Sequence, residues 1–343
     1  MKDGRLGVRR VSSLASSAFL VSAAATDTLQ QQLLLRSSIT GTTDASVCMV
    51  KDKWSSVYAT DCPTGPTATK QSTWDRTVTA LERQTVINSL SDDTDRARLL
   101  LVTSPHSSDW LNVLPLSGCG LRFDDRAIHI VFGLRLGANI CKHHQCPCGA
   151  TVDARGLHGL SYRGGNGRSA RHHSLDDLVW RAKGKGDIPA LKEPSGLLRS
   201  DWKRPEGVTT LLPWKQRKGV TWDVTVSDTL AQSYVHETSQ TPGAAAAAAA
   251  ERKRDNYSSL SQSYFFVPIA AETMGAISKD GKDFLCELGR RITQSTDDNS
   301  ESAVLFQRLS VLIQRYNAVA VLGAFTHTTP RTKCSRSSIC SSF

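Results

Sequence analysis

Residues 203–228 read KRPEGVTTLLPWKQRKGVTWDVTVSD. A Pro-acidic step, Pro205-Glu206, leads into an apolar stretch at 207–212, and a basic turn follows at Lys215–Gly219. Beyond the turn, Val220, Trp222, Val224 and Val226 alternate with Thr221, Asp223 and Thr225, which predicts a strand with one apolar face and one face carrying an Asp. Pairing the two strands as a hairpin brings Glu206 and Asp223 together. Two carboxylates a few ångström apart suit an octahedral, oxygen-preferring ion such as Mg²⁺. Such an ion can activate water and stabilise an in-line displacement at a phosphodiester. The same letters also fit a solvated hairpin with two surface acids.

Charge favours a polyanionic partner. The chain of 343 residues has a net charge of +10, and residues 163–218 hold thirteen Lys and Arg against six Asp and Glu. Lys and Arg that neutralise phosphates supply most of the non-specific affinity for nucleic acid. The candidate phosphate contacts are Arg171, Lys203, Arg204, Lys215, Arg217 and Lys218. A solubilising basic surface has the same composition. The length allows two modest domains. No apolar run is long enough to span a bilayer. At the N-terminus, basic residues followed by SLASSAFLVSAAA fit a secretory or transit signal, and fit an amphipathic helix equally well.

The nine cysteines do not form an evenly spaced framework. Three crowd into CKHHQCPCGATVDARGLHGLSY, at 141–162, a pattern of metal binding in a reducing compartment. A tight loop at Pro147–Gly149 can present Cys146 and Cys148 to one ion with His158 as a third ligand. A closed zinc site needs a fourth, for which Cys141, His143 and His144 are available. Tyr162 stands where a downstream fourth ligand would be natural, and a phenol is a poor one. Phe123-Asp124-Asp125 is similar to the acidic loop of polymerases, but the Asp pair directly follows the aromatic and a helical run comes next, so it is set aside.

Residues 1–40 read as helical, with Leu14, Phe19, Leu20, Leu29, Leu33 and Leu34 as core candidates. Residues 41–75 read as a loop, and helices are predicted within 75–104 and near 124–137. A further helix is predicted from a cap at Ser174 with Asp177 three residues on, which leaves His172-His173 at its start, facing solvent or touching phosphate or metal. Strands are predicted at 189–193, 207–212, 219–226 and 264–270. The alanine tract 244–250 predicts a helix running into ERKRDNY. Two helices near 281–294 and 301–321 close the fold, and 326–343 read as disordered.

The order of these pieces (a Cys-Cys-His knuckle, RHHSLDDLVWRA, KEPSGLLRSDWKRPEG, WDVTVSD and ERKRDNY) resembles the C-terminal region of non-LTR retrotransposon polyproteins that carry a restriction-like endonuclease. In that family a CCHC zinc knuckle precedes an Arg/Lys-Pro-Asp motif and a second acidic residue, with Lys and Tyr on a following helix. The resemblance runs over about residues 1–322, because GRLGVRRVSSLASSAFLVSAA is similar to the region after a reverse-transcriptase palm. It implies an α/β protein: a mainly helical segment over 1–138, a zinc-knuckle-like segment over 139–172, a restriction-endonuclease-like (PD-(D/E)xK type) sandwich around a small mixed sheet over 173–322, and a tail over 323–343.

The resemblance also implies roles. Glu206 and Asp223 would hold Mg²⁺ or Mn²⁺, Lys253 and Tyr257 would be the helix pair of the catalytic site, and Cys146, Cys148, His158 and Cys141 would hold a structural Zn²⁺. The partner would be DNA, with element RNA left open, with no small-molecule substrate and no membrane, and the place the nucleus. The reaction would be nicking of target DNA to expose a 3′-hydroxyl that primes reverse transcription.

The sequence departs from the pattern at Tyr162, in place of the last knuckle Cys, and at Glu206, in place of Asp. The lysine that such nucleases place two residues after the second acid is here Thr225, so Lys253 must reach in from its helix. A misplacement by one C–C bond costs on the order of 10²-fold in rate, so a Glu206→Asp change that raised activity would support the nuclease. The missing palm points to a truncated or decaying element-derived reading frame. The contrasting expectation is a catalytically inactive, zinc-stapled DNA-binding remnant.

Overall fold

The computed structural model describes residues 11–37, 43–162, 167–197, 204–209, 213–215 and 217–325. The tail at 326–343, the first ten residues, Lys203 and residues 163–166 lie outside the described residues. Packing divides the chain into two units, Met1–Ser91 and Asp92–Phe343.

The first unit is three helices, α1 (Val11–Ser37), α2 (Thr43–Tyr58) and α3 (Gln71–Ser89). Their core is Leu20, Trp54, Trp74 and Val78, with the two indoles edge to face at 5.0 Å. Helix α2 replaces much of the loop expected at 41–75. Val47, Val50 and Trp54 recur at helical spacing and pack inward, a stripe hidden among Thr and Asp letters. Of the expected α1 core, Leu20 is buried, whereas Phe19, Leu29 and Leu33 are exposed. The side chain of Leu34 lies outside the described residues.

The second unit opens with α4 (Asp93–Val102), whose N-cap Asp92 accepts from Asp95 N–H and so splits the helical run predicted within 75–104. Helix α5 (Asp125–Leu136) is capped by Asp124, which accepts from Ala127 N–H at 2.7 Å. That bond gives the set-aside Asp pair a structural place. Helix α5 packs on the last helix, α11 (Glu301–Gly323), through Ile130, Val131, Leu134, Val311, Ala318 and Val321. The packing boundary therefore falls at Ser91, ahead of the expected 138, because the apolar partners of α5 come from the far end of the chain.

Between them lie a short hairpin, β1 (His144–Gln145) and β2 (Thr151–Val152), then α6 (His158–Ser161) and α7 (Gly167–Lys185). The main sheet follows: β3 (Ala190–Lys192), β4 (Gly207–Thr209), β5 (Gly219–Ser227) and β6 (Tyr264–Glu272), in that spatial order. The first two junctions are antiparallel and β5–β6 is parallel, with Asp223 opposite Pro268. A parallel pair needs a crossover. The chain supplies it with α8 (Val235–Gln240) and the alanine helix α9 (Ala244–Asn256). Helix α10 (Lys279–Thr296) leads to α11. The molecule is thus mixed α/β, with a helical part and a small mixed sheet.

The alternation in β5 sorts the layers. Val220, Trp222 and Val224 join Leu175 and Val179 of α7, Val267 and Ile269 of β6, and Phe284, Leu285 and Leu288 of α10 in one core. On the other face, Ala246, Ala249 and Ala250 of α9 pack on Ala270, so small side chains let that helix lie close to the sheet. The buried Glu272 accepts from Ala246 N–H at 3.0 Å, satisfying a donor in the first turn of α9. Gly207 is required where it stands: a Cβ there would lie 2.0 Å from the Trp222 ring. Lys183 of α7 is fully buried, with Nζ 4.6–4.8 Å from the ring centroids of Trp214, Trp222 and Phe284. Burial first, and Arg291 next, pull its pKa down to about 7, against the pull of the aromatic faces toward the charged form.

Candidate functional site

The lead-in to β4 and the middle of β5 carry the two predicted acids. Glu206 N–H donates to Trp222 C=O at 3.0 Å, one residue before Asp223, so the hairpin register sets the two side chains side by side. Glu206 is 9 % exposed and Asp223 3 % exposed. Glu206 Oε2 accepts from Val224 N–H at 2.5 Å. The extra methylene relative to Asp is what brings Oε2 to that backbone donor. Burial is the main force raising the Glu206 pKa, to about 8; contact with His172 opposes it and the Asp223 charge adds to it.

Lys253 comes from α9 and reaches both oxygens of Asp223, at 2.8 and 2.7 Å. The close packing of the alanine face on β6 is what puts the ammonium within reach. Tyr257, at the end of the same helix, is buried, lies tilted against Phe266 at 4.7 Å, and donates its hydroxyl to Arg204 C=O at 2.9 Å. That contact ties the end of the helix that carries Lys253 to the lead-in to Glu206.

The sequence places His172 at a helix start, facing solvent or touching phosphate or metal. Helix α7 instead begins at Gly167, and Ser174 is interior to it, bonded to Tyr316 Oη at 2.5 Å rather than capping. His172 therefore shares a helix face with Leu175, Asp176 and Val179, and its Nε2 lies 2.5 Å from Glu206 Oε1. The contact lacks hydrogen-bond alignment, and Oε1 is buried with no other hydrogen bond. His172, Glu206 and Asp223 each offer a ligand atom, all within 4.8 Å of one another. Contact with Glu206 is the main cause that raises the His172 pKa. The spacing 172, 175, 179 was the available signal, concealed by the misplaced helix start.

A second cluster forms at the β1–β2 hairpin. Gly149, at φ +85°, closes the turn, with Gly149 N–H donating to Cys146 C=O at 2.8 Å. Cys148 Sγ lies 3.3 Å from His158 Nε2, and Cys146, Cys148 and His158 are within 4.8 Å of one another. Cys146 is buried, which pushes its thiol pKa up, whereas the Ala150 N–H pulls that of Cys148 down. Two thiols and an imidazole match the donors of structural zinc. Cys141 does not join them. Ile140 and Cys141 N–H both donate to Ala154 C=O, and this pairing turns the Cys141 thiol onto Asp153 C=O at 3.1 Å. His144 Nε2 is 3.2 Å from Ala324 C=O. Tyr162 remains near, its ring 5.8 Å from that of His158.

The expected phosphate contacts divide. Arg171 is 3 % exposed and donates to Asn317 Oδ1 at 3.1 Å, so it belongs to the core, on the inward side of α7. Arg204 pairs with Glu193. Lys215 and Arg217 are exposed and Lys218 half-buried, at the N-terminal end of β5. Lys203 lies outside the described residues. Among the described residues no helix is long and apolar enough to cross a membrane. No protein-family model matches the chain, and no curated protein matches it.

Proposed function

We propose that the carboxylate cluster is the active site of a metal-dependent DNA endonuclease of the restriction-like type, derived from a non-LTR retrotransposon and acting in the nucleus. The observation that carries this reading is the meeting of Glu206, Asp223 and Lys253, from three separate elements, at one place on the sheet. The donor set fits a divalent ion, because Glu206 Oε1 is buried and lacks an aligned donor. Glu206 and Asp223 would hold Mg²⁺ or Mn²⁺, which when bound supplies an activated water and neutralises charge on the phosphate.

The protein's own groups do the rest. Val224 N–H fixes Glu206 from the side opposite His172. Lys253, held on Asp223, is placed to turn its ammonium toward a phosphate oxygen as negative charge builds there. Exposed Lys215 and Arg217 would meet the DNA backbone. The product would be a nick with a 3′-hydroxyl. Cys146, Cys148 and His158 would hold a structural Zn²⁺ that staples the hairpin.

A specific observation favours a second reading, an inactive DNA-binding remnant: Lys253 already takes both oxygens of Asp223, and a metal must compete with that ion pair. A supercoiled-plasmid nicking assay with Mg²⁺ or Mn²⁺, run on the chain and on Asp223→Ala, separates the two. Nicking that disappears in the variant supports the nuclease. A folded protein that binds DNA with a steep salt dependence, yet does not nick it under any metal, supports the remnant.

A further inference from the structure

We infer that His172 is a third ligand of the carboxylate site and that this site selects Mn²⁺ over Mg²⁺. The inference rests on the reading that Glu206 and Asp223 hold an ion. Three elements converge: α7 brings an imidazole, the lead-in to β4 a carboxylate, and β5 another, with their ligand atoms within 4.8 Å of one another. The burial is uneven. Asp223 and Glu206 are enclosed, while the His172 side chain is 40 % exposed. The imidazole therefore stands at the mouth, where an ion would also meet water and a substrate oxygen.

His172 Nε2 lies against Glu206 Oε1 as an ion pair, and a divalent ion bound between the two would take the place of that pairing. The contact is close, 2.5 Å, yet not aligned as a hydrogen bond, and Oε1 makes no other. Neighbouring ligands on an octahedral ion with bonds near 2.1 Å stand about 3.0 Å apart. Opening the pair by about 0.5 Å, a small rotation of a half-exposed ring, reaches that spacing.

Donor chemistry sets the selectivity. Two carboxylates alone suit Mg²⁺ and Mn²⁺ alike. An imidazole nitrogen is a softer donor, which Mg²⁺ accepts poorly and first-row transition ions accept readily. Mn²⁺ satisfies both requirements, octahedral oxygen coordination and a nitrogen ligand.

The test is metal binding by the full, zinc-loaded chain without DNA. Free and bound Mn²⁺ are counted by electron paramagnetic resonance, with Mg²⁺ as competitor. The chain should bind Mn²⁺ at least about tenfold more tightly than Mg²⁺. His172→Ala, and His172→Gln as a control that keeps bulk and polarity, should each weaken Mn²⁺ by about tenfold or more and bring the two ions close to parity. Asp223→Asn should weaken both ions. Equal affinities for the two ions in the parent chain, or Mn²⁺ binding unchanged in both folded His172 variants, overturns the inference. His172-dependent Mn²⁺ binding without nicking would sink the nuclease and leave this inference standing. Nicking that Mg²⁺ and Mn²⁺ support equally in the parent chain, with the Mn²⁺-supported rate unchanged in His172→Ala, would do the reverse.

Discussion

The carboxylate cluster draws its donors from positions 172, 206 and 223, which only the packed sheet and helices bring together. The thiol cluster draws on 146, 148 and 158, neighbours along one hairpin and the helix after it. The first has enclosed acids held by hydrogen bonds; the second has one buried thiol and one exposed. A site assembled by the tertiary fold keeps its shape without an ion, and its function is what an ion adds. A site assembled from a short loop lacks such a frame, and there an ion contributes folding free energy. Removing a donor should therefore cost activity at the first and stability at the second.

Asp223→Ala tests the larger side of that contrast. It should lower nicking by on the order of 10³-fold, while the melting temperature shifts little, because Lys253 is partly exposed and can turn to water. A collapse in stability instead would mean that the ion pair, and not an ion, is what the acid is for. Next in size is Glu206→Asp. From the sequence, a gain would have favoured the nuclease, but Oε2 already reaches Val224 N–H. Shortening the side chain withdraws it by about one C–C bond, and nicking kinetics should show a loss of roughly 10²-fold.

Cys148→Ser sharpens the other side. Elemental analysis should find its zinc content falling from one per chain to near none, with melting several degrees lower and nicking reduced by less than about tenfold. If nicking vanished with the zinc, the two clusters would not be independent.

The smallest effect on nicking concerns the layer beneath the carboxylates. Lys183 touches the ring of Trp222 and has a folded pKa near 7, below its ordinary 10.5. The unfolded chain then binds the proton more tightly, so stability rises with pH between 7 and 10.5 by up to about 1.4 kcal/mol per unit. Lys183→Met should flatten that slope in chemical denaturation and leave nicking unchanged. An unaltered slope would mean that the three aromatic rings hold the ammonium charged.

Period and alternation made much of this legible. The apolar alternation of β5 put Asp223 on its own face, and the alanine run announced α9 and with it Lys253. What stayed hidden depended on partners distant in the chain. Helix α5 could not be assigned to the second unit without α11 to cover it. Arg171 counted as a phosphate contact until Asn317 came to meet it. His172 was misread through one local error: a plausible cap at Ser174 moved the helix start and turned an inward face outward.

The tract Ala244–Ala250 has one more consequence. Ala245, Ala246, Ala249 and Ala250 face inward, and their neighbours are chemically identical to them. One added alanine would rotate everything beyond it by about 100° and advance it by about 1.5 Å. Packing within the tract would scarcely register the change, since the next methyl in line would fill each vacated place, but Lys253 would swing off Asp223 and Tyr257 would leave its buried place against Phe266. The letters of this tract are interchangeable. Its length is a ruler, and its readers are the lysine and the tyrosine at its far end.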